Sequence, residues 1–293
     1  MNEILKQCDG YKRLKSSEPL YDLLEPYYHM EKSMPVLCAT PWKMVHEVKN
    51  DVAVLLLHGY TGYPGEMIFP GQKLYEAGFD VYCPRYPGHG VGKKDFLNTN
   101  GEDWLATARS SIGYLKKEYS DVYVVGHSMG GLIATIVAKE FDVTKLALIA
   151  PAFALKGFNK TKVLLLRLFK DEVVQPWKMD KDFWGICERD EKDDAFLGEN
   201  YWSYINLNMI LELNKLRETA LNSLNKINSK TICILGEYDS SVDNKKINKF
   251  LKSKVKSPLE ILEIEGVTHL CQYYKVKEKR DLCNDTIVKY FLD

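Results

Sequence analysis

One short motif carries the residue types that can attack a carbonyl carbon. Residues 126–131 are Gly-His-Ser-Met-Gly-Gly, which fits the pattern G-x-S-x-G. In that pattern a sharp strand-to-helix turn projects the serine hydroxyl from a sheet, and the flanking glycines leave room for the turn. An apolar strand sequence precedes the motif and an apolar helix sequence follows it. This context predicts that Ser128 is a nucleophile, although the five-residue string alone also occurs by chance.

A serine hydroxyl needs a base that takes its proton. The chain has six histidines, at positions 29, 46, 58, 89, 127 and 269. His269 ends the sequence Gly-Val-Thr-His, directly after the last predicted strand. Ligand sites of open α/β sheets lie beyond the carboxyl ends of the strands, so we predict that His269 is the base. His127 flanks the nucleophile and is predicted to point away from it as a packing residue.

The base in turn needs an acid that orients it, and this acid should follow another strand and precede the histidine in the chain. Asp239 follows the apolar segment 231–235 after a short turn and is the first candidate. Asp243 is the alternative, but its position predicts that it caps a helix over 243–252. The sequence favours Asp239 and leaves Asp243 open.

The oxygen that becomes negatively charged during such an attack requires hydrogen-bond donors. The backbone N–H of Met129 follows the nucleophile at the start of a predicted helix, where the helix dipole favours negative charge. A second donor is expected from the loop His-Gly-Tyr-Thr-Gly at 58–62, and the N–H of Tyr60 is the candidate. These glycines do not indicate a dinucleotide site, because 126–131 lacks G-x-G and 58–62 lacks the full fingerprint.

Apolar segments that alternate with helical segments must position these residues. The segment 52–57 is a continuous apolar run, typical of a strand buried on both faces, and 122–125 is predicted as another buried strand. Further strands are predicted at 80–83, 145–150, 231–235 and 259–264. The helices are predicted at 66–77, 102–118, 129–140, 243–252 and 280–292. This alternation predicts an α/β fold with a mostly parallel central sheet and helices on both faces.

The first fifty residues depart from this alternation. They are polar and interrupted by prolines, and we predict that 1–50 forms an N-terminal arm with a short helix and an edge strand near 43–48. The α/β core is then predicted to span 51–151 and 229–293.

Residues 152–228 interrupt the predicted core. They contain helix-period segments at 161–170 and 201–216 and no convincing strand, so we predict a helical cap inserted between two strands of the sheet. Three of the five tryptophans lie here, namely Trp177, Trp184 and Trp202. These rings either line a substrate site or form the core of the cap itself, and the sequence leaves both possibilities open.

The composition excludes several classes of protein. The chain has 293 residues, of which 45% are hydrophobic and 27% are charged, as is typical of a globular protein. Forty basic and forty acidic residues cancel. The basic excess on which nucleic-acid binding and polybasic membrane-surface binding depend is therefore absent. The longest apolar stretch, 146–155, is half a membrane span, so no stable membrane insertion is expected.

Cysteine usage and the first residues bear on the compartment. The seven cysteines are odd in number and form no C-x-x-C pair, so neither a disulfide framework nor a zinc site is expected. The N-terminal sequence lacks the charged and then apolar regions of a signal peptide. We predict a cytoplasmic protein that uses no metal and no organic cofactor.

The motifs together resemble the α/β-hydrolase superfamily, and within it the bacterial carboxylesterases and monoacylglycerol lipases, also called serine aminopeptidase-like hydrolases. The resemblance covers roughly 50–293 and is carried by HGYTG (58–62), PRYPGHG (84–90), Trp104, GHSMGG (126–131), GEYDSSVD (236–243) and GVTH (266–269). It implies an α/β-hydrolase fold and makes the aspartate of G-x-x-D-x-x-V, here Asp239, the acid of a catalytic triad. It also implies that PGHG at 87–90 is a structural loop at the pocket rim, so that His89 is not the base.

The resemblance further implies hydrolysis of small-molecule carboxylic esters through an acyl-enzyme on Ser128. Hydrolysis of amides, peptides or thioesters and acyl transfer on the same fold are alternatives, and a non-catalytic binding protein is a third. Paired ester and amide substrates separate the first two classes, and a chromogenic ester separates both from the third.

Overall fold

The core of the molecule is an eight-stranded sheet. The computed structural model describes residues 11–15, 18–177 and 196–293. The sheet contains β1 (Tyr11–Arg13), β2 (Trp42–Met44), β3 (Val52–Leu57), β4 (Asp80–Cys83), β5 (Asp121–His127), β6 (Lys145–Ile149), β9 (Lys230–Gly236) and β10 (Leu259–Ile264). Their spatial order is β1-β2-β4-β3-β5-β6-β9-β10. A separate antiparallel pair joins β7 (Glu172–Val174) to β8 (Tyr204–Asn206).

The sheet is mostly parallel, as predicted. The strands from β4 to β10 in the spatial order run parallel, whereas β1 and β2 are antiparallel at one edge. In the interior, Leu55 of β3 lies opposite Tyr82 of β4 and Val124 of β5. The residues at 53–57 are all buried, because helices cover both faces of a central strand, and this explains why the run is apolar without alternation.

Helices cover both faces of this sheet. They are α1 (Pro19–Tyr28), α2 (Ile68–Glu76), α3 (Lys93–Leu97), α4 (Gly101–Glu118), α5 (Met129–Glu140), α6 (Lys160–Arg167), α7 (Leu207–Ser223), α8 (Asn244–Lys254) and α9 (Lys277–Leu292). The connection from β3 through α2 runs toward one edge and that from β5 through α5 toward the other. Because such crossovers are right-handed, α2 and α5 lie on opposite faces. Helix α9 packs beside α2, and α4 and α7 pack beside α5.

The N-terminal arm is joined to the sheet edge. The predicted edge strand is present as β2, which pairs with β4, and the short helix is present as α1, which packs on α4. Strand β1 was not predicted, because three residues are too few to show a period. Trp42 is fully buried and donates its indole N–H to the carbonyl oxygen of Pro64 at 2.9 Å.

The segment between β6 and β9 differs from the prediction in two respects. The absence of strands predicted for 152–228 is wrong, because Val173 of β7 lies opposite Ile205 of β8. The helix predicted over 201–216 begins later, as α7, because the Asn206 side chain accepts hydrogen bonds from the first free N–H groups and caps it. Helix α7 packs on α5 and α4, so part of this segment joins the helical layer of the core. The division into arm, core and cap remains a prediction.

The structure also describes the cysteines, the groups of possible metal ligands and the apolarity of the helices. Five cysteines lie in the described residues, and all are buried free thiols: Cys38, Cys83, Cys233, Cys271 and Cys283. Burial raises the pKa of the Cys271 thiol to about 12. In the described part of the chain, no group of three or more His, Cys, Asp and Glu side chains could hold a metal ion. None of the helices in these ranges has the length and apolarity of a membrane span.

Candidate active site

Ser128 occupies the tight junction between β5 and α5. Its backbone has φ 53° and ψ −113°, outside the regions that residues with a side chain usually adopt. A Cβ on Gly126 would lie 2.3 Å from the carbonyl oxygen of Gly130, and a Cβ on Gly130 would lie 2.1 Å from that of Leu57. Both positions therefore require glycine, which explains the spacing of G-x-S-x-G. The turn presents the Ser128 hydroxyl beyond the carboxyl end of β5.

A hydrogen-bonded series joins the three side chains predicted as nucleophile, base and acid. The Ser128 Oγ atom lies 2.9 Å from Nε2 of His269, and Nδ1 of His269 lies 2.6 Å from Oδ2 of Asp239. An ionised carboxylate only accepts hydrogen bonds, so Nδ1 carries the ring proton and donates to Asp239. In the neutral ring Nε2 then has a free lone pair, which accepts the hydrogen bond of the Ser128 hydroxyl.

Asp239 is held in one orientation by further donors. Its side chain is fully buried, and Oδ1 accepts the backbone N–H groups of Ser241 at 2.7 Å and Val242 at 2.9 Å. Burial by itself would raise the pKa of this carboxyl, but the hydrogen bond and charge of His269 and the two backbone N–H groups outweigh it. The pKa of Asp239 therefore lies below its ordinary value, and the group stays ionised.

Asp243, the alternative acid, is engaged elsewhere. Its Oδ1 accepts the backbone N–H of Lys246 at 3.1 Å, and its Oδ2 lies 3.1 Å from Nζ of the same lysine. It is the N-cap of α8, which confirms the capping predicted from the sequence. The hydrogen-bonded series described above contains Asp239 and not Asp243.

The two backbone donors predicted for the negatively charged oxygen lie beside Ser128. Met129 is the first residue of α5, and the first N–H groups of a helix have no acceptor within it. A Cβ on Gly59 would lie 3.5 Å from Cβ of Ser128, which puts the loop 58–62 against the turn. Tyr60 follows Gly59 in that loop. The N–H group of Met129 therefore directly follows the serine, and that of Tyr60 follows a residue packed against it; their role as donors stays a prediction.

Three further histidines are buried close to the site as neutral rings. Burial lowers the pKa of His127 and that of His89 to about 3. Burial, with repulsion from His89 as the second cause, lowers the pKa of His58 well below its ordinary value. The Nε2–H of His127 donates to the backbone carbonyl oxygen of His269 at 3.1 Å. His127 is thus a packing residue, as predicted, but it also supports the backbone of the base, which the sequence did not indicate.

Trp202 contacts the loop 58–62, and Trp177 packs against Trp202. The indole N–H of Trp202 donates to the carbonyl oxygen of Thr61 at 2.9 Å. The Trp202 ring packs against Trp177, with 5.5 Å between the ring centroids, and both residues are partly buried. Trp184 lies outside the described residues.

Lys156 is a neighbour of the site that the sequence analysis missed. Its ammonium group donates to the backbone carbonyl of Asp239, and its backbone N–H donates to the carbonyl oxygen of Ser241 at 2.9 Å. The segment after β6 therefore holds the loop that carries Asp239. The sequence contains no signal for this contact. A lysine that follows an apolar strand looks the same in the sequence whether its side chain contacts another loop or is exposed to solvent.

Comparison with known families agrees with this arrangement. The family described as "Serine aminopeptidase, S33" matches this chain over residues 48–272. The chain belongs to this family. Residues 48–272 include all three side chains of the hydrogen-bonded series and the loop 58–62.

Two Bacillus proteins are similar in sequence to part of this S33-family chain. A thermostable monoacylglycerol lipase of Bacillus sp. (strain H-257) is 35% identical over 111 residues, which are 38% of this chain and 43% of the lipase. A carboxylesterase of Bacillus subtilis (strain 168) is 39% identical over 86 residues, which are 29% of this chain and 35% of the esterase. The chain therefore spans less than half the length of either relative in these alignments.

Solved structures similar to this S33-family chain share its α/β-hydrolase fold. A structure of the metagenome-derived lipolytic enzymes LipS and LipT has a TM-score of 0.74 at 18% identity, over 89% of this chain and 100% of that chain. A Paleococcus ferrophilus monoacylglycerol lipase has a TM-score of 0.61 at 18% identity, over 81% and 94% of the two chains. Est1E from Butyrivibrio proteoclasticus with bound ferulic acid has a TM-score of 0.57 at 19% identity, over 83% and 89%. At these identities the likeness establishes the fold.

Asparagine substitutions should separate the roles of the two aspartates. Asp239→Asn offers an amide to His269 Nδ1 and favours the wrong ring tautomer, so we expect kcat to fall by about 10⁴. Asp243→Asn keeps an oxygen that can cap α8, so its activity and melting temperature should stay close to those of the wild type. Ester hydrolysis and melting curves of both variants check this. An inactive Asp243→Asn beside an active Asp239→Asn would reverse the assignment.

The buried histidines should make stability depend on pH. Unfolded histidines titrate near about pH 6.5, whereas the pKa of folded His89 and of folded His127 is about 3. The unfolded chain therefore binds more protons between these values. The contribution of each buried ring to the free energy of unfolding is fully present above about pH 6.5. It decreases toward about pH 3 by about 1.4 kcal/mol per pH unit for each ring. Urea unfolding between about pH 7 and about pH 5 measures this slope.

A substitution of one buried histidine tests whether these rings cause the dependence of the free energy of unfolding on pH. His89→Gln removes one titrating ring, so the dependence of the free energy of unfolding on pH should decrease by one proton. A free energy that stays constant over the same range in the wild type would contradict the burial of neutral histidines.

Proposed function

We propose that this chain hydrolyses carboxylic esters of small molecules. Ser128 is the nucleophile, His269 the general base and acid, and Asp239 the group that orients the ring. The observation that carries the proposal is the series from Ser128 Oγ through His269 to Asp239, with distances of 2.9 and 2.6 Å, on a strained strand-to-helix turn. The names of the two Bacillus relatives support an ester as the substrate.

The first half of the proposed reaction forms an acyl-enzyme. Ser128 Oγ attacks the ester carbonyl carbon while Nε2 of His269 takes its proton, and the carbonyl electron pair moves onto the oxygen. The N–H groups of Tyr60 and Met129 stabilise that oxyanion. When the intermediate collapses, the C–O bond to the alcohol breaks, and the alcohol takes the proton from Nε2.

The second half restores the enzyme by the same route. Water attacks the acyl carbon and gives a proton to His269, and the second intermediate then releases the carboxylic acid and returns the proton to Ser128 Oγ. Asp239 stays ionised throughout and stabilises the protonated ring in each step. All proton transfers use residues of the chain, so the proposed reaction needs no metal and no organic cofactor.

An apolar or aromatic acyl group is the proposed substrate moiety. Trp202 is hydrogen-bonded to Thr61 in the loop of the oxyanion donor, and Trp177 packs against Trp202. The Tyr60 ring lies 5.7 Å from that of Phe96, centroid to centroid. Phe96 itself is buried, whereas the two partly buried tryptophan rings leave apolar surface near the loop. Burial of apolar surface is the main source of affinity for such a group.

Amide or peptide hydrolysis is the second candidate, because the matching family is described as a serine aminopeptidase. A p-nitrophenyl ester and a p-nitroanilide with the same acyl group share the pocket contacts of the acyl side and differ in the bond that breaks. We expect the ester to have the higher kcat/KM. A higher value for the anilide would assign the chain to the second candidate.

Removal of the nucleophile tests the proposal directly. Ser128→Ala should fold normally and lose at least about 10³-fold in kcat, the scale of triad deletions. A fluorophosphonate should label the wild type on Ser128 alone, as located by peptide mass spectrometry. Undiminished labelling of the Ala variant would refute Ser128 as the nucleophile.

The cap tryptophans should affect selectivity more than stability. Both Trp177 and Trp202 are partly buried, so their replacement by Ala should cost less than the about 3–5 kcal/mol typical of a buried aromatic. The contact of Trp202 with the loop 58–62, and of Trp177 with Trp202, should instead change the preference among short-chain, long-chain and aromatic acyl esters. Melting curves and kcat/KM for such a series measure the two effects.

Trp42 of β2 supplies the control for the effect on stability, since it is fully buried whereas Trp177 and Trp202 are partly buried. Trp42→Ala should lower stability and leave the acyl preference unchanged. If Trp177→Ala and Trp202→Ala behave like Trp42→Ala, these rings form the core of the cap.

A further inference from the structure

The direction of the Tyr60 N–H is set by its own peptide group. The carbonyl oxygen of Gly59 accepts the Nδ1–H of His58 at 3.0 Å and the backbone N–H of Gly62 at 3.2 Å. A trans peptide is planar, so the C=O of Gly59 and the N–H of Tyr60 point in opposite directions. Whatever fixes this carbonyl therefore also fixes the proposed oxyanion donor.

His58 is in turn fixed by the loop 84–90. Its Nε2 accepts the backbone N–H of Tyr86 at 3.3 Å, and its ring lies 4.4 Å from that of Tyr86, centroid to centroid. A carbonyl oxygen can only accept and a backbone N–H can only donate, so one neutral tautomer with the proton on Nδ1 satisfies both contacts. His58 is fully buried, which favours this neutral form.

The Tyr86 N–H belongs to the Arg85–Tyr86 peptide, and residues of the N-terminal arm hold that peptide. The hydroxyl of Tyr28 donates to the carbonyl oxygen of Arg85 at 2.7 Å, and the Arg85 guanidinium lies 4.2 Å from the centre of the Tyr28 ring. Burial raises the pKa of Tyr28 above its ordinary value, with Arg85 opposing the shift, so the hydroxyl keeps its proton.

Glu31 of the arm supports the same loop through an ion pair. Its two carboxylate oxygens accept hydrogen bonds from Nη1 and Nη2 of Arg85, each at 2.7 Å, and the side chains of Glu31 and Arg85 are 7% and 3% exposed. The backbone N–H of Gly88 donates to the same carboxylate at 2.8 Å. A bidentate pair of this kind is among the most directional contacts in proteins, so the loop 84–90 is held rigidly against the arm.

We propose that Tyr28 is a positioning residue for the oxyanion donor. Its hydroxyl orients the Arg85–Tyr86 peptide, this peptide holds His58, and His58 orients the Gly59–Tyr60 peptide. The inference rests on the proposed function and gives the N-terminal arm a part in it. Tyr28 acts on the reaction only through these peptides and the His58 ring.

Two neighbouring tyrosines of α1 provide a matched pair of variants. Tyr28→Phe removes the hydroxyl that contacts Arg85, whereas Tyr27→Phe removes one that contacts Ser110 Oγ at 2.9 Å, away from the loop 84–90. We expect Tyr28→Phe to lower kcat by about 10-fold with little change in KM, since small displacements of catalytic groups have effects of this size. Tyr27→Phe should keep the wild-type kcat.

A second readout separates positioning from a general loss of structure. Sulfur is a weaker hydrogen-bond acceptor than a carbonyl oxygen, so a well-placed oxyanion donor favours an ester over the matching thionoester. Tyr28→Phe should decrease the ratio of kcat for the ester to kcat for the thionoester, while Tyr27→Phe leaves it unchanged. A general structural loss would lower both rates alike.

Glu31→Gln tests the support of the loop 84–90 by the ion pair between Glu31 and Arg85. It keeps an acceptor for the Gly88 N–H but removes the charge that balances Arg85, and its melting curve shows whether it folds. In the folded variant the ester-to-thionoester ratio should change in the same direction as in Tyr28→Phe. If Glu31→Gln is unfolded, the milder substitution Tyr28→Phe alone decides whether Tyr28 has the positioning role.

The outcomes distinguish this inference from the proposed function. If the wild type hydrolyses esters through Ser128 and Tyr28→Phe matches Tyr27→Phe in kcat and in the ester-to-thionoester ratio, the positioning role is refuted and the function stands. If the wild type hydrolyses no ester, or if Ser128→Ala is fully active, the proposed function fails and the inference fails with it.

Discussion

The backbone turn at Ser128 is the constraint on which the candidate site depends. A residue with a side chain in such a conformation costs on the order of 1–3 kcal/mol, which the surrounding structure must offset. The Ser128 N–H donates to the carbonyl oxygen of Ile149 at 2.9 Å, and its own carbonyl accepts the N–H groups of Gly131 and Ala152 at 3.0 and 3.1 Å. These bonds tie the turn to β6, to α5 and to the chain beyond β6. A locally strained serine is therefore held by the rigid centre of the fold.

The parallel sheet explains how distant residues meet at this turn. Ser128, Asp239 and His269 follow β5, β9 and β10, and the carboxyl ends of parallel strands open onto the same edge. The sequence separations of 141 and 30 residues between hydrogen-bonded partners are closed by strand pairing rather than by local structure. Pairing along β6 and β9 also places Lys156 on the loop of Asp239. The pairing of the strands in the sheet thus determines the relative positions of the three side chains.

Features with a local physical cause could be predicted from the sequence. The strand-to-helix turn at Ser128 was predictable because close backbone packing demands glycine at Gly126 and Gly130. The central strand β3 was predictable because it is continuously apolar. Strands β1, β7 and β8 have three residues each, too few for a pattern. The start of α7 depends on capping by the Asn206 side chain. The contacts of His127 and Lys156 join separate segments, and a single sequence contains no signal for such pairs.

A crystal structure of the protein after reaction with an alkyl phosphonate ester tests most directly where the reacting oxygen lies. A tetrahedral phosphonate imitates the intermediate of acyl transfer. We predict a covalent bond between phosphorus and Ser128 Oγ, with the phosphoryl oxygen about 3 Å from the backbone nitrogens of Tyr60 and Met129. Phosphorus bound to another residue, or a phosphoryl oxygen directed away from both N–H groups, would contradict the account.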